Sequence, residues 1–345
     1  MKRQTTLSLL ALATAFGTTG AQAQEAQGGG EACFDVPEPV VSLSYGSRYT
    51  DESEDRSDID EQSNAEVNEA LDPVDDFIVE LTSHANAALE KEGADAESEA
   101  RCVIAALDQW AESDALSDLG SMNANLSAPS RIAGFAMAYW QAKQVVEPEP
   151  EAGERIDQWL RARMTHSMNW FDADAPPKAS RNNLRAWAGF AAAAVGDATD
   201  DDLLRSWSAY SLMTVACQAD QVGALPLEMD RGPRAMHYQL HAVAPLVVGA
   251  TMLDDDGYDL FSQCDGAINR IASFVPAAFE DEALVTDRAG EAQTLFNGED
   301  EVQGFELAWA DAYLSLFDAP EVEAFVESYR PLGNSKLGGS QSLLW

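Results

Sequence analysis

Apolar side chains along this chain recur at spacings of three and four residues, segment after segment, with no convincing stretch of strand alternation. Between Arg101 and Leu119, the residues Val103, Ile104, Leu107, Trp110 and Ala111 fall at i, i+1, i+4, i+7 and i+8, one face of a helix. Phe77, Ile78, Leu81 and Leu89 do the same one element earlier. Ile132, Phe135, Tyr139 and Trp140 follow, then Ile156, Trp159 and Leu160, then Leu203, Leu204, Trp207 and Tyr210. Turn-forming residues interrupt these faces from Asp174 to Pro177, at Gly196 and Asp197, and from Asp254 to Gly257. The polar stretch from Tyr45 to Gln62 has no apolar period and predicts a long loop. Serial helices joined by short turns predict an all-α array of antiparallel pairs. No fixed repeat period runs through the chain, which argues against a solenoid.

The N-terminus predicts the compartment. Lys2 and Arg3 precede an apolar run from Leu7 to Phe16, and Ala21, Gln22 and Ala23 form a small-x-small cleavage pattern. Residues 1–23 therefore read as a cleaved signal peptide directing the protein to the periplasm or the medium. Residues 24–32 are Gly-rich and predict a disordered segment, and residues 33–345 predict one domain. No later stretch approaches the ~20 apolar residues of a membrane span. Four cysteines, Cys33, Cys102, Cys217 and Cys264, suit an oxidising compartment. Sequence alone allows three pairings of them. No CxxC or Cys/His cluster has ligand spacing, so neither a metal nor another cofactor is expected.

Charge narrows the partners. The chain carries 59 acidic and 21 basic side chains, a formal balance of −38. Such a surface argues against nucleic acid or an anionic membrane. An acidic polysaccharide would be repelled too, unless a local basic cleft prevailed at short range. Nine of the 21 basic residues lie between Arg155 and Arg234, which makes such a cleft conceivable in that part of the chain. High-salt adaptation also explains an acidic exterior, since ions screen it over roughly 10 Å or less.

Two segments in that region carry the chemistry: RNNLRAW at 181–187 and LPLEMDRGPRAMHYQLHAVAPLV at 225–247. Together they resemble the catalytic segments of the alginate lyase superfamily, periplasmic enzymes that cut poly-mannuronate by β-elimination. Asn182 and Asn183 match the first half of that site. Arg231, His237 and Tyr238 match the second, whereas Leu184 stands where the family keeps a histidine. Residues 102–116 are similar to the family's early cysteine-bearing helix and residues 47–60 to its lid loop, in which Tyr49 would contact substrate. Residues 304–317 and 337–345 are similar to its closing helix and tail. The resemblance implies an incomplete α/α toroid with a central cleft. It also favours Cys33 with Cys102 and therefore Cys217 with Cys264.

β-Elimination at a uronate removes the C5 proton beside the carboxylate and protonates the departing C4 oxygen, so the site must also neutralise the carboxylate. The resemblance assigns that neutralisation to Asn183 and Arg231, and the proton transfers to Tyr238. One tyrosine serves as base and then acid when proton and leaving oxygen share a face, as in mannuronate and glucuronate. A phenol of pKa about 10 needs positive charge nearby to do so. Arg231 lies two turns before Tyr238 on its helix, or on the loop leading in if Pro233 marks the first turn. Losing the histidine donor at Leu184 costs roughly 3–4 kcal/mol of transition-state stabilisation unless another group substitutes. Arg185, Arg234 and His237 are candidates, with Asn182, Trp187 and Tyr49 as further substrate contacts. His237 and His241, four apart, could instead form half of a metal site, though no third ligand is evident. A tyrosine on an amphipathic helix more often serves packing, and the ordered matches in five segments are what favour a site. The expected activity is a polysaccharide lyase for a mannuronate- or glucuronate-type polymer. A binding protein that has lost the chemistry, and a hydrolase using paired carboxylates, are the other classes. Oligomeric state is left open.

Overall fold

The computed structural model describes residues 34–53 and 56–345. The expected signal peptide, the Gly-rich segment and Cys33 lie outside the described residues. Helices dominate: α1 (Glu61–Glu90), α2 (Gly93–Glu112), α3 (Met122–Val145), α4 (Pro150–Ala173), α5 (Asn183–Thr199), α6 (Asp202–Ala216), α7 (Pro226–Met229), α8 (Ala235–Asp255) and α9 (Gln263–Glu280). Five short ones follow: α10 (Ala283–Ala289), α11 (Thr294–Asn297), α12 (Ala310–Leu316), α13 (Pro320–Val326) and α14 (Gln341–Leu344). Several start where a polar side chain satisfies an orphan N–H. Asp60 accepts from Ser63 at α1, Ser121 from Ala124 at α3, and Asp201 from Leu203 and Leu204 at α6.

α1, α3, α5 and α8 pack side by side in that order. Behind them, α2 lies on α1 and α3, α4 on α3 and α5, and α6 on α5 and α8. This is the incomplete α/α toroid that the helical faces and the resemblance imply. The opening between α8 and α1 is crossed by the C-terminal segment. Its 3₁₀ turn Gly304–Leu307 packs on α8, and the turn Ser335–Leu337 packs on α3 and α1. Aromatic rings bind the first four helices together, with Phe77 stacked on Trp110 at 4.3 Å and Phe135 5.4 Å from both Trp110 and Trp159.

α5 is the most enclosed element, buried along its length except at Leu184 and Asp197. Its small residues allow close neighbours: a Cβ on Gly189 would lie 3.0 Å from Leu212 of α6. Gly249 of α8 meets the same leucine at 2.9 Å, so the two glycines receive one side chain between three helices.

The helix boundaries depart from the sequence expectation in instructive places. α5 runs through Gly196 and Asp197 and stops at Asp200, which takes a left-handed φ of 54°. Gly196 is there for contact, since a Cβ would fall 2.9 Å from Arg205 Cγ, and Asp197 binds Arg205 at 2.9 Å. Leu203 and Tyr210, expected on the core face of α6, are 69% and 64% exposed, while Leu204 and Trp207 are buried. α2 starts ahead of Arg101 and ends before Leu119, which pairs with Leu43 in a two-residue parallel ladder. Among the described residues, none from 45 to 60 is helical, whereas Glu61 and Gln62 belong to α1.

Cys217 and Cys264 form a disulfide, as expected. Cys102 is also disulfide-bonded. The Cys217–Cys264 bridge closes a sequence separation of 47 residues and ties the end of α6 to the start of α9. Replacing both cysteines with serine is expected to cost about 4 kcal/mol through the freed chain entropy. Denaturant unfolding should show the lowered midpoint, while activity in the absence of denaturant is retained.

Candidate active site

α5 and the segment entering α8 converge at the cleft. Asn182 caps α5, its side chain accepting from the Leu184 N–H at 3.0 Å. Capping fixes the first turn and therefore the direction in which Asn183 and Leu184 project. Opposite, Arg231 sits on the loop before the 3₁₀ turn Gly232–Arg234, and α8 begins at Ala235. Pro233 thus marks the helix approach, and the guanidinium of Arg231 lies 3.4 Å from the ring centroid of Tyr238. A cation over that face stabilises electron density on the ring.

Residues 45–53 and 56–60 fold over this pair. Tyr49 bridges to Ile59, and the Asp60 N–H donates to the Arg48 carbonyl at 2.9 Å, which draws the segment into a narrow strap. Arg231 Nη2 donates to the Arg56 carbonyl at 2.8 Å. The strap thereby places the Tyr49 hydroxyl in a hydrogen bond with that of Tyr238. Tyr238 is 9% exposed. Its pKa is raised, chiefly by burial; Arg231 and Arg234 pull it down, while Tyr49 pushes it further up. The phenol is consequently neutral while the strap is in place, and burial outweighs the expected lowering by positive charge.

Asn183 is held from behind by a residue that the sequence reading did not single out. Glu228 of α7 has no exposed surface, and its two oxygens accept from the backbone N–H and the side-chain Nδ2 of Asn183, both at 2.7 Å. Such a paired geometry is that of a carboxylate. Burial pushes its pKa up to about 7 against the opposing pull of Asn183 and Arg231. In the sequence, the only clue is an acid flanked by the apolar residues Leu225, Leu227 and Met229.

A cavity of about 410 Å³ opens beside Tyr238, lined by Asn182, Asn183, Leu184, Tyr49, Arg231 and the cations Arg48, Arg56, Arg131 and Lys178. Among the described residues, Asp230 is the one acidic residue in its lining. In a chain of net charge −38 this is a local reversal of sign. Arg131 is braced by Asp75, which also binds Lys336 at 3.3 Å.

Other expected contacts lie elsewhere. Arg185, two residues from Asn183, points to the opposite side of α5. It is buried, with bonds to Ser211 at 2.9 Å and Asp172 at 2.8 Å, and it stacks on Trp207; it staples helices and does not reach the cleft. Trp187 is buried behind the site, its indole N–H donating to His241. His237 faces Glu306 at 3.2 Å with its ring edge-on to Tyr238, and Arg234 faces Asp300 at 3.9 Å. His237 and His241 therefore engage different partners.

A tyrosine under an arginine thus shares the cleft of an α/α toroid with a fixed asparagine. The family model "Alginate lyase" matches residues 47–284. A polysaccharide lyase from Stenotrophomonas maltophilia (strain K279a) is 32% identical over 251 residues, 71% of each chain. An alginate lyase from Azotobacter vinelandii is 27% identical over 322 residues, covering 91% of this chain and 84% of the relative. Among solved structures, alginate lyase A1-III complexed with tetrasaccharide superposes with a TM-score of 0.77 at 22% identity, over 90% of this chain and 85% of that one. The chain belongs to the alginate lyase family and is a polysaccharide lyase.

The buried Glu228 yields a prediction about pH. Its folded pKa, about 7, lies above the ordinary value of 4.5. The folded state therefore holds this proton more tightly than the unfolded chain, and the associated stability is lost as pH rises from about 4.5 through 7, by roughly 3 kcal/mol in all. Glu228→Gln should flatten that part of the stability profile, as read by thermal unfolding across pH. Because glutamine offers only one acceptor oxygen to the two N–H groups, kcat should also fall, by roughly 10-fold for one misdirected hydrogen bond.

Proposed function

We propose that this protein cleaves a mannuronate- or glucuronate-containing polymer by β-elimination, with Tyr238 as the single base and acid. The observation that carries the reading is the stacking of Arg231 on Tyr238 at the edge of a cation-lined cleft, with Asn183 held opposite. Arriving substrate displaces the Tyr49 hydroxyl from Tyr238, and the strap then closes over the sugar. Displacement also removes a group that raises the phenol pKa and leaves Arg231 and Arg234, which lower it. Asn183 has a second amide hydrogen beyond the one given to Glu228, and it donates this to the uronate carboxylate. Arg231 supplies charge at the same carboxylate without ever losing its proton. Tyr238 takes the C5 proton and returns it to the C4 oxygen on the same face.

Leu184 lines the cavity and brings neither charge nor a base to the other face of the sugar. Guluronate, whose C5 proton lies on that face, is accordingly a poor substrate. Residues 1–23 and the disulfides favour action in the periplasm or outside the cell. The cations of the cleft provide the short-range attraction that lets so acidic a protein hold a polyanion.

The test follows the ultraviolet absorbance of the 4,5-unsaturated uronate during digestion of poly-mannuronate, poly-guluronate and poly-glucuronate. Product is expected from the first or third polymer, with little from poly-guluronate. Tyr238→Phe keeps the ring under Arg231 and should lower kcat by roughly 10² to 10⁴-fold, the usual worth of general acid–base catalysis. Clear preference for guluronate, or a Tyr238→Phe enzyme of undiminished rate, would sink the assignment.

A further inference from the structure

Pro245 lies inside α8 and has no N–H for the carbonyl of His241, four residues earlier. Trp187 of α5 supplies the missing donor: its Nε1 is 3.1 Å from that carbonyl and 2.7 Å from Nδ1 of the His241 ring. An indole N–H can only donate. Nδ1 must therefore offer its lone pair, and the ring hydrogen resides on Nε2. The helix around it is buried, yet His241 itself is exposed. It projects one turn beyond Tyr238 on the same side of α8. The proline gap and the tryptophan together fix both the tautomer and the outward direction of the Nε2–H.

The surroundings of that N–H suit an anion. The side chains that act most strongly on the ring are His237, Lys336 and Arg231, all three of basic type. Although the ring touches solvent, the protein crowded around it, and then those three neighbours, hold the His241 pKa well below the usual histidine range. The ring is thus a neutral donor at ordinary pH and does not add a charge that Lys336, itself lowered to about 8, would oppose.

We propose that His241 contacts substrate directly, donating its Nε2–H to the carboxylate of a uronate bound along the cleft beyond Tyr238, and that Trp187 is the positioning residue fixing this tautomer. The inference rests on the lyase reading and adds a recognition point to it. Leu184 and Trp187 are one turn apart on α5, as Tyr238 and His241 are on α8. An imidazole absent at Leu184 is in this way present one turn deeper, carried by the facing helix.

Three variants and one spectroscopic measurement test the proposal. His241→Ala should raise KM on the preferred polymer by roughly 10-fold or more, the worth of a hydrogen bond to a charged group, with little change in kcat. His241→Gln, whose amide nitrogen reaches the Nε2 position, should recover most of that loss, and Trp187→Phe should fall between. Nitrogen-15 NMR of the imidazole in the Tyr238→Phe protein should show hydrogen on Nε2, shifting when a mannuronate tetrasaccharide is added. Hydrogen on Nδ1, no shift at saturating tetrasaccharide, or an unchanged KM in His241→Ala would each overturn it. Failure of the lyase reading would look different: no unsaturated product from the unmodified enzyme on any polymer, whatever the imidazole signal does.

Discussion

A buried carboxylate holds the two halves of this site in register. Glu228 arrives from the segment leading into α8 and receives two hydrogen bonds from Asn183, the first residue of α5. Without it, the asparagine and the Arg231–Tyr238 pair would be linked only by packing and by the Trp187–His241 hydrogen bonds one turn further along the helices. An ionised group with no solvent contact is expensive, and the elevated pKa of Glu228 measures that expense. The arrangement persists because both oxygens are satisfied and Arg231 is close enough to oppose the desolvation. Rigidity at this joint is what an eliminating enzyme needs, since its donors must already point to where the carboxylate charge will sit.

Charge is organised on two scales. At long range the molecule is strongly acidic, and salt screens that field within about a Debye length. At short range the cleft gathers arginine and lysine from α1's approach, α3, the α4–α5 connection and the α8 approach, with Asp75 bracing Arg131 and tying it to Lys336 of the C-terminal segment. A polyanion is attracted only once it has entered. The same separation appears in the helices: Arg205 is ringed by Asp197, Asp200, Asp202 and Asp256 on the outer surface, a basic side chain committed to holding acidic neighbours together.

Periodicity disclosed the helices because their buried faces are built from large apolar residues, as in Phe77, Trp110 and Phe135. It misjudged places where contact geometry overrides composition. Gly196 resembles a helix end but is a contact point for Arg205, and Tyr210 resembles a core residue but is exposed. For the site, the resemblance to the family's segments located Asn183, Arg231, Tyr238 and Tyr49, all of which line one cavity. Spacing alone could not say which side of α5 would carry Arg185, nor that Trp187 would serve from behind. Glu228 was hidden by abundance, one acid among 59. The cleft cations Arg48 and Arg131 were hidden by distance, since they approach from the start of the chain and from α3.

The C-terminal segment crosses between α8 and α1, and Lys336 comes with it to the interior. Order of synthesis therefore matters. Every helix of the toroid emerges before the strip that completes its floor, and a growing chain has walls but no finished cleft.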